Sequence, residues 1–368
     1  MRILHLPADV AGMPAGLAEG ERRLGHDSRI LTLTRPKFGF PTEYCLDLDQ
    51  RSRVGRLFTY AATLTRICRS FDVYNFNFGS SLLHFPDRGL YYRDLPLYRS
   101  GAKRVFTWQG CDARQRDTTV ARIAERQGES AVSSCIDPRC GGGRCGPRQD
   151  DIRRRSIAAA ARHADHMFAV NPDLLMVLPP GASSFLPYAV ADYHAITPKE
   201  GPFCPNDTVH IVHAPTDRIC KGTDHILSAI ATLREEMGDR LRFTLVSGVT
   251  YREARRIYAT ADIFIDQMLT GWYGGVSVEV MRMGIPVVAF INPEHLALTP
   301  PAFADELPVV ATGPAGLTAK LRQLIADRDG LSELGARGMA FAERWHEPSR
   351  VASHLLATID SRWGTRLW

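Results

Sequence analysis

The chain contains 368 residues, of which 45% are hydrophobic and 23% are charged, and its formal net charge is +5. This length exceeds what one ordinary hydrophobic core organises and therefore predicts two domains. The composition is ordinary for a soluble globular protein. The first residues, MRILHL, lead directly into a predicted strand, and no apolar run reaches the roughly 18–20 residues of a membrane helix. We therefore expect a cytoplasmic protein without a signal peptide.

Predicted strands alternate with helices in two series. The first series has strands at residues 3–6, 28–33, 73–77, 104–108 and 166–170. The second series begins at Val209 and continues at residues 242–247, 262–266, 286–291 and 307–310. This alternation predicts an α/β protein with parallel, doubly wound sheets.

A proline- and glycine-bearing segment, ITPKEGPFCPND, separates the two series and predicts a linker over residues 196–207. We therefore expect an N-terminal domain over residues 1–195 and a second domain over residues 208–345. The remaining residues, 346–368, have helical spacing of Val351, Leu355 and Ile359, which predicts a C-terminal helix.

Three of the eight cysteines are concentrated in the segment SSCIDPRCGGGRCGPRQ, as Cys135, Cys140 and Cys145. Its glycines would let this loop wrap a metal ion. The C-x4-C-x4-C spacing differs from the C-x2-C pattern of zinc sites, however, and a fourth ligand would have to be Cys111 or His163. A structural zinc ion, a disulfide and reduced thiols in a variable loop stay open, and we assign no metal. We expect the other cysteines to be reduced thiols.

An arginine-rich segment, RQDDIRRRS, precedes the predicted helix SIAAAARHA. We interpret its arginines as a solvated helix face that Asp150 and Asp151 partly balance. The alternative is a peripheral contact with an anionic membrane surface or a lipid-diphosphate acceptor. The segment contains Arg148, Arg153, Arg154 and Arg155. Because aromatic residues do not interleave with them, we do not expect nucleic acid as a partner.

The segment VHIVHAPTDRICKGTDHILSAI, from residue 209 to residue 230, predicts a strand, a loop and an amphipathic helix. Arg218 and Lys221 lie three residues apart where the loop enters the helix. The helix dipole disfavours cations at this end, so their placement indicates a missing anion. A guanidinium fork and an ammonium group together would hold a diphosphate.

The segment ADIFIDQMLTGWYGGVSVEVMRMGIPVVAF, from residue 261 to residue 290, predicts a strand, a glycine turn, a short helix and a second strand. Such a turn presents backbone N–H groups to an anion. Gly271, Gly274 and Gly275 would permit the turn and the close approach of a ligand. Glu279, one helical turn later, could accept hydrogen bonds from a ribose diol. The alternative is a tight turn followed by a merely solvated Glu279.

The motifs HAPTDRICKG and GWYGGVSVEVMRMGIPVV, with the N-terminal segment MRILHLPADVAGMPAGLAEGERRLGHDSRIL, resemble the retaining GT-B glycosyltransferases of family 4. The resemblance covers nearly the whole chain. It implies a GT-B fold, with two Rossmann-like domains that face a cleft and a C-terminal helix that returns to the first domain. It also implies transfer of a hexosyl group from a nucleotide-diphosphate sugar to an acceptor hydroxyl, with retention of configuration, as in carbohydrate biosynthesis.

The resemblance also implies roles for individual residues. Arg218 and Lys221 would hold the donor diphosphate and neutralise its charge as it leaves, so that no divalent metal is required. Glu279 would bind the ribose, and Gly12 would approach the donor phosphates from the first domain. The backbone amides that would line the sugar and phosphate are those of Trp272, Tyr273, Gly274 and Gly275.

A further candidate lies in the first domain, in the segment KRVFTWQGCDAR. Asp112 and Arg114 follow a predicted strand there and would face the cleft, with Asp112 in a catalytic role; the alternative for Asp112 is a helix cap or turn residue.

The sequence departs from the family pattern at two positions. Gly271 stands where the family has the first glutamate of its E-x7-E motif, which contacts the transferred sugar. Asp266 is one candidate to replace it. Gln109 stands where relatives often carry a histidine. The donor, UDP- or GDP-linked, and the acceptor, whether saccharide, lipid-linked sugar, small metabolite or protein, are left open. The other functions considered are a non-catalytic nucleotide-sugar binder and a nucleotide-sugar 2-epimerase or phosphorylase of the same fold.

Overall fold

The computed structural model describes residues 1–127 and 131–368. The chain forms two compact units, and neither is one continuous stretch of sequence. The first unit comprises Met1–Gln115, Pro147–Tyr193 and His346–Trp368. The second unit comprises Arg116–Gly146 and His194–Trp345.

The strands of the described residues, in chain order, are β1 (Arg2–Leu6), β2 (Asp27–Thr32), β3 (Tyr44–Cys45), β4 (Val73–Asn77), β5 (Lys103–Trp108), β6 (His166–Ala169), β7 (Ser183–Phe185), β8 (Val209–His213), β9 (Leu241–Leu245), β10 (Ile263–Ile265), β11 (Val287–Ala289) and β12 (Val310–Ala311). The α-helices are α1 (Met13–Arg23), α2 (Arg53–Ile67), α3 (Arg116–Gln127), α4 (Pro147–Ala161), α5 (Arg218–Lys221), α6 (Thr223–Met237), α7 (Tyr251–Tyr258), α8 (Gly275–Arg282), α9 (Pro293–Leu296), α10 (Pro301–Glu306), α11 (Leu317–Ala326), α12 (Arg328–Trp345) and α13 (Pro348–Ile359).

The first unit is built on a parallel sheet with the strand order β3-β2-β1-β4-β5-β6-β7. Every residue of β4 is buried, as expected for a central parallel strand that is covered on both faces. Helix α13 packs on α1 in this unit. The approach is closest at Gly20, where a Cβ atom would lie 2.1 Å from the carbonyl oxygen of Pro348, so this helical position requires glycine.

The second unit is built on a parallel sheet with the strand order β12-β11-β10-β8-β9. Its core packs Ile226 and Leu233 of α6 against Ile211 and Ile263 of the sheet. In this sheet β8 and β10 are direct neighbours and run parallel, so their carboxyl ends lie side by side. The loops that follow β8 and β10 therefore start at the same edge of the sheet.

The predicted strands are present, and their ends differ by a few residues. The largest difference is at the last strand, where residues 307–310 were predicted and Val310–Ala311 is observed. Leu307 instead follows the end of α10, and Pro308 and Val309 are buried without sheet pairing. The short strands Tyr44–Cys45 and Ser183–Phe185 were not predicted, because two or three residues carry too little periodicity.

Residues 116–146 belong to the second unit, although the sequence order places them within the predicted first domain. The backbone N–H of Ser134 donates to the carbonyl oxygen of Leu269 at 2.9 Å. Arg126, on α3, lies 3.3 Å from Glu294. These contacts join chain segments that are far apart in sequence. A division of the sequence into consecutive domains cannot predict them. None of the helices in the described ranges combines the length and apolarity needed to cross a bilayer.

Candidate functional site

Asp266 is the centre of a hydrogen-bonded group at the carboxyl end of β10. Its carboxylate accepts from Lys221 Nζ at 2.5 Å, from the backbone N–H of Gly274 at 2.5 Å and from Ser277 Oγ at 2.8 Å. Asp266 is only 1% exposed. Burial alone would raise the pKa of Asp266, but the Lys221 ammonium and these donors hold it below its ordinary value. The carboxylate therefore stays charged and fixes the position of Lys221.

Helix α5 is a single turn that presents Arg218 and Lys221 at its two ends. Asp217 caps it, because its Oδ1 accepts from the backbone N–H groups of Ile219 and Cys220, each at 2.9 Å. Gly222 ends the turn at φ +70°. A Cβ atom there would lie 2.9 Å from Leu269 Cγ, so glycine is needed for both conformation and space. Arg218 remains exposed at the surface of the second unit.

His213, in the same motif, has a structural role. Its Nδ1 lies 2.8 Å from the carbonyl oxygen of Ile265, and its Nε2 lies 3.0 Å from Thr223 Oγ1. Burial lowers the pKa of His213 to about 4, so the ring is neutral at pH 7. The histidine thus ties the end of β8 to β10 and to the start of α6.

The glycine turn brings backbone and ammonium into close contact. A Cβ atom on Gly274 would lie 3.1 Å from Lys221 Nζ and 3.3 Å from Asp266 Oδ2. Gly274 immediately precedes α8, which starts at Gly275. A glycine at this position therefore lets the Lys221 ammonium lie beside the N-terminus of α8, the end of a helix at which backbone N–H groups have no partner within the helix.

Trp272 and Tyr273 are both completely buried. Their rings stack on each other with centroids 4.9 Å apart, and the Trp272 ring also stacks on Phe303 at 6.3 Å. The side-chain amide of Gln267 donates to the carbonyl oxygen of Trp272. The two aromatic side chains therefore anchor the turn in the core, and the main chain of both residues is buried with them.

Glu279 lies on α8 and is 5% exposed. Arg255 Nε, on α7, lies 3.9 Å from Glu279 Oε2. The structure thus places Glu279 in the protein interior rather than on a solvated helix face, which removes the alternative of a merely solvated carboxylate. A buried carboxylate beside a guanidinium is a suitable acceptor for two neighbouring hydroxyl groups.

Gly271, where the family has a glutamate, is closely surrounded. Its φ of +78° is in the left-handed region, and a Cβ atom would lie 2.9 Å from the ring of His295. The carbonyl oxygen of Gly271 accepts from the backbone N–H of Asn292 at 3.0 Å and lies 3.1 Å from His295 Nδ1. His295 was not singled out in the sequence; the capped turn NPEH after β11 is the one local signal for it.

Asp112 lies in a turn after β5 of the first unit. Its carboxylate accepts from the backbone N–H of Gln109 at 3.0 Å and from that of Gly110 at 2.6 Å. Burial raises the pKa of Asp112 to about 6 in spite of these donors. The neighbouring Arg114 is buried and binds Asp173 with two hydrogen bonds of 2.6 and 3.0 Å. Arg114 is thus held in an internal ion pair, contrary to the expected exposure to a cleft.

Gly12 lies between β1 and α1 with a φ of +70°. Its backbone N–H donates to Asp9 Oδ1 at 3.1 Å, and a Cβ atom would lie 3.1 Å from Phe40 and Ala191. Asp9, which the sequence did not single out, has its pKa raised to about 6 by burial. The first unit therefore carries two carboxyl groups with a raised pKa, Asp9 and Asp112, each on a loop that follows a central strand.

The arginine-rich segment is largely paired. Arg153 is buried, where it donates to the carbonyl oxygen of Cys111 at 2.8 Å and to Asp150 at 3.1 Å, so it cannot contribute to a surface patch. Arg155 lies 2.8 Å and Arg154 3.8 Å from Asp151. These pairs fit the interpretation of a charge-balanced helix face. Within residues 1–127 and 131–368, no group of three His, Cys, Asp or Glu side chains is placed to hold a metal ion.

No family model matches the chain, and no curated protein matches it in sequence. Solved structures do match. HepE from Anabaena, in complex with UDP, has a TM-score of 0.60 at 13% identity, covering 98% of this chain and 100% of that chain. Sucrose-phosphate synthase from Thermosynechococcus elongatus has a TM-score of 0.56 at 15% identity, covering 98% and 99%. UDP-GlcNAc 2-epimerase from Neisseria meningitidis, bound to UDP-GlcNAc, has a TM-score of 0.52 at 11% identity, covering 98% and 100%.

These similarities define the class of fold. Two parallel-sheet, Rossmann-like units with flanking helices match structures of the GT-B architecture, and the predicted fold class is confirmed. The identities are low, so the similarity concerns the fold.

Proposed function

We propose that the chain is a glycosyltransferase of the retaining class, which moves a hexosyl group from a nucleotide-diphosphate sugar to an acceptor hydroxyl. The observation that carries this proposal is the Lys221 ammonium, held at 2.5 Å by the buried Asp266 beside the glycine turn that starts α8. One of the three ammonium protons is used by Asp266, and the others are available to an anion. A cation held this firmly suits a diphosphate better than a neutral ligand.

The reaction requires stabilisation of a leaving nucleoside diphosphate. Lys221 and the exposed Arg218 would neutralise the charge that develops on it, without a divalent metal. The backbone N–H of Gly274 is already bound to Asp266, and Trp272 and Tyr273 are completely buried, contrary to the predicted ligand contacts of these amides. The backbone N–H of Gly275, the first residue of α8, would bind a phosphate oxygen, and Glu279 would accept hydrogen bonds from the ribose hydroxyls. Transfer with retention would rest on positioning of the acceptor and on this charge stabilisation.

In the first unit, Asp112 is the residue that we propose for substrate binding. Asp112, whose pKa is raised to about 6, can exchange a proton near neutral pH, which suits a group that contacts an acceptor hydroxyl. Gly12 is closely packed against Phe40 and Ala191, and its backbone N–H is held by Asp9, contrary to the predicted approach of a phosphate to this glycine.

The donor would be a UDP-sugar in preference to a GDP-sugar. The solved HepE structures contain UDP and UDP-glucose, and the epimerase structure contains UDP-GlcNAc. We would test the proposal by thermal stabilisation with UDP-, GDP-, ADP- and dTDP-sugars and with the bare diphosphates. Stabilisation by one nucleotide family supports the donor site, and the absence of stabilisation by all of them contradicts it.

The role of Glu279 can be tested with paired ligands. The parent protein should bind UDP roughly tenfold more tightly than 2′-deoxy-UDP, the typical effect of one hydrogen bond to a charged group. Glu279→Gln should lose most of that preference, whereas the exposed control Glu235→Gln should keep it. Equal preference in both variants would show that Glu279 does not bind the ribose.

The epimerase similarity makes a 2-epimerase the second candidate. An epimerase converts a nucleotide sugar without any acceptor and leaves the glycosidic bond to the diphosphate in place at the end of the cycle. Incubation with UDP-GlcNAc alone therefore distinguishes the two: a transferase gives at most slow release of UDP, and an epimerase gives a new nucleotide sugar. A protein that binds the donor and gives neither product is a non-catalytic binder.

A further inference from the structure

Two cysteine sulfur atoms from distant parts of the chain are in contact in the second unit. Cys140 Sγ lies 3.1 Å from Cys220 Sγ, although the two residues are 80 positions apart. Cys140 starts a glycine-rich turn and is 4% exposed, and Cys220 is partly exposed on α5. The distance is about 1 Å longer than the roughly 2.05 Å of an S–S bond. A small movement of either side chain would therefore permit a bond.

The backbone beside Cys140 can make this movement. Gly141, Gly142 and Gly143 have φ values of 64°, 68° and 72°, in the region that glycine adopts most readily. On the other side, α5 is held firmly. The backbone N–H of Met268 donates to the carbonyl oxygen of Lys221 at 2.9 Å, and Asp217 caps the turn. The glycine turn is thus the adaptable partner, and the helix is the fixed one.

We propose that Cys140 and Cys220 are a thiol modification site, at which a low-molecular-weight disulfide oxidises the pair to a reversible intramolecular disulfide. The partly exposed Cys220 thiolate attacks the small disulfide, which forms a mixed disulfide and releases one small thiolate. The Cys140 thiolate then attacks Cys220 Sγ, forms the internal S–S bond and releases the second. The two protons of the protein thiols end on the two small thiols, so the protein loses two electrons and the small disulfide gains them.

The position of this site connects it to the donor site; this consequence rests on the proposed function, whereas the disulfide itself does not. Cys220 directly precedes Lys221 on a helix of four residues. Because α5 is the fixed partner, the bond would draw the Cys140 turn against α5, directly beside Lys221 and the diphosphate that Lys221 would hold. Oxidation should therefore weaken donor binding roughly tenfold, the typical loss for one charged hydrogen bond.

The modification is tested on the full chain with oxidised glutathione, followed by alkylation, proteolysis and mass spectrometry. We expect a cross-linked peptide pair that contains Cys140 and Cys220, the loss of two alkylatable thiols, and recovery of both with a reductant. Cys140→Ser and Cys220→Ser should each abolish the cross-link, so one well-folded variant is enough. Cys68→Ser, in the first unit, is the matched control and should keep it.

Three results would overturn the proposal: glutathione adducts without a cross-link, a cross-link that uses Cys135 or Cys145 instead, or one equivalent of bound zinc that protects the thiols. Donor binding is then compared between oxidised and reduced protein. A cross-linked protein that binds no nucleotide sugar in either state refutes the donor site and leaves the thiol site standing. Equal binding in both states refutes the connection between the two.

Discussion

Two aspartates, each in the loop after a parallel strand of its own unit, behave in opposite ways. Asp266 follows β10 in the second unit, and Asp112 follows β5 in the first. Both accept backbone N–H groups, but only Asp266 has a lysine ammonium against it. The pKa of Asp266 is held below its ordinary value, and burial raises the pKa of Asp112 to about 6. The Lys221 ammonium thus distinguishes the two carboxyl groups. With it, Asp266 is a fixed anion; without such a partner, Asp112 titrates at about pH 6.

Asp266→Asn should have the largest effect. The substitution removes the anion that fixes Lys221 and leaves the partly buried ammonium without its counter-charge. The free energy of unfolding should therefore fall by about 3–5 kcal/mol. Donor binding should fall with it, because Lys221 loses its orientation. Urea denaturation and calorimetric titration with UDP-sugar measure the two effects. Asp239→Asn, on an exposed turn of the same unit, should change neither quantity, and an unaffected Asp266→Asn would show that the pair is unimportant.

Lys221→Ala should weaken binding of the donor diphosphate about 10- to 100-fold, which corresponds to one charge-assisted hydrogen bond. It should also raise the pKa of Asp266, because the main partner that lowers it is gone. Calorimetric titration with UDP gives the affinity. Lys320→Ala, on α11 of the same unit, is the control with the same change of net charge. If both lysine variants bind alike, Lys221 is not part of the donor site.

Gly271→Ala should lower the free energy of unfolding by about 1–3 kcal/mol, because an alanine there is strained at positive φ and its Cβ atom would lie 2.9 Å from His295. Gly248→Ala is a matched control, since Gly248 also has a positive φ but has nothing within 4 Å of a Cβ atom. The difference between the two variants measures the contacts with His295 and Asn292. A second change, His295→Ala, should recover most of that difference, and a failure to recover it would assign the cost to the contact with Asn292 instead.

The smallest expected effect is on the pH dependence of folding stability, to which Asp112 and Asp266 should contribute with opposite signs. Because the pKa of Asp112 is raised to about 6 in the folded state, the folded chain binds its proton more tightly, and the wild type loses stability as the pH rises from about 4 to 6. Asp112→Asn should remove the Asp112 part of this slope and leave the part that Asp9 contributes, because the pKa of Asp9 is also raised to about 6. The low pKa of Asp266 has the opposite sign, so its contribution is lost as the pH falls below the ordinary value for an aspartate. Urea denaturation at several pH values would show whether the two slopes differ in sign.

The sequence predicted the elements of this fold because buried parallel strands such as Val73–Asn77 are short apolar runs between helices. It also singled out Lys221 and the Gly274 turn, which the structure brings together at Asp266. It could not predict the bond between Lys221 and Asp266, which are 45 residues apart, or the contact of Cys140 with Cys220. Local periodicity reports which face of an element is buried, but it carries no information about which distant residue will lie against it.

The division of the chain has a practical consequence for how the protein can be dissected. Its path passes from one unit to the other after Gln115, after Gly146, after Tyr193 and after Trp345. No single truncation can therefore yield either unit whole: removing the last 23 residues would strip α13 from the first unit and leave the second covalently complete. Isolating the second unit would require residues 116–146 and 194–345 to be joined by an engineered connection in place of residues 147–193.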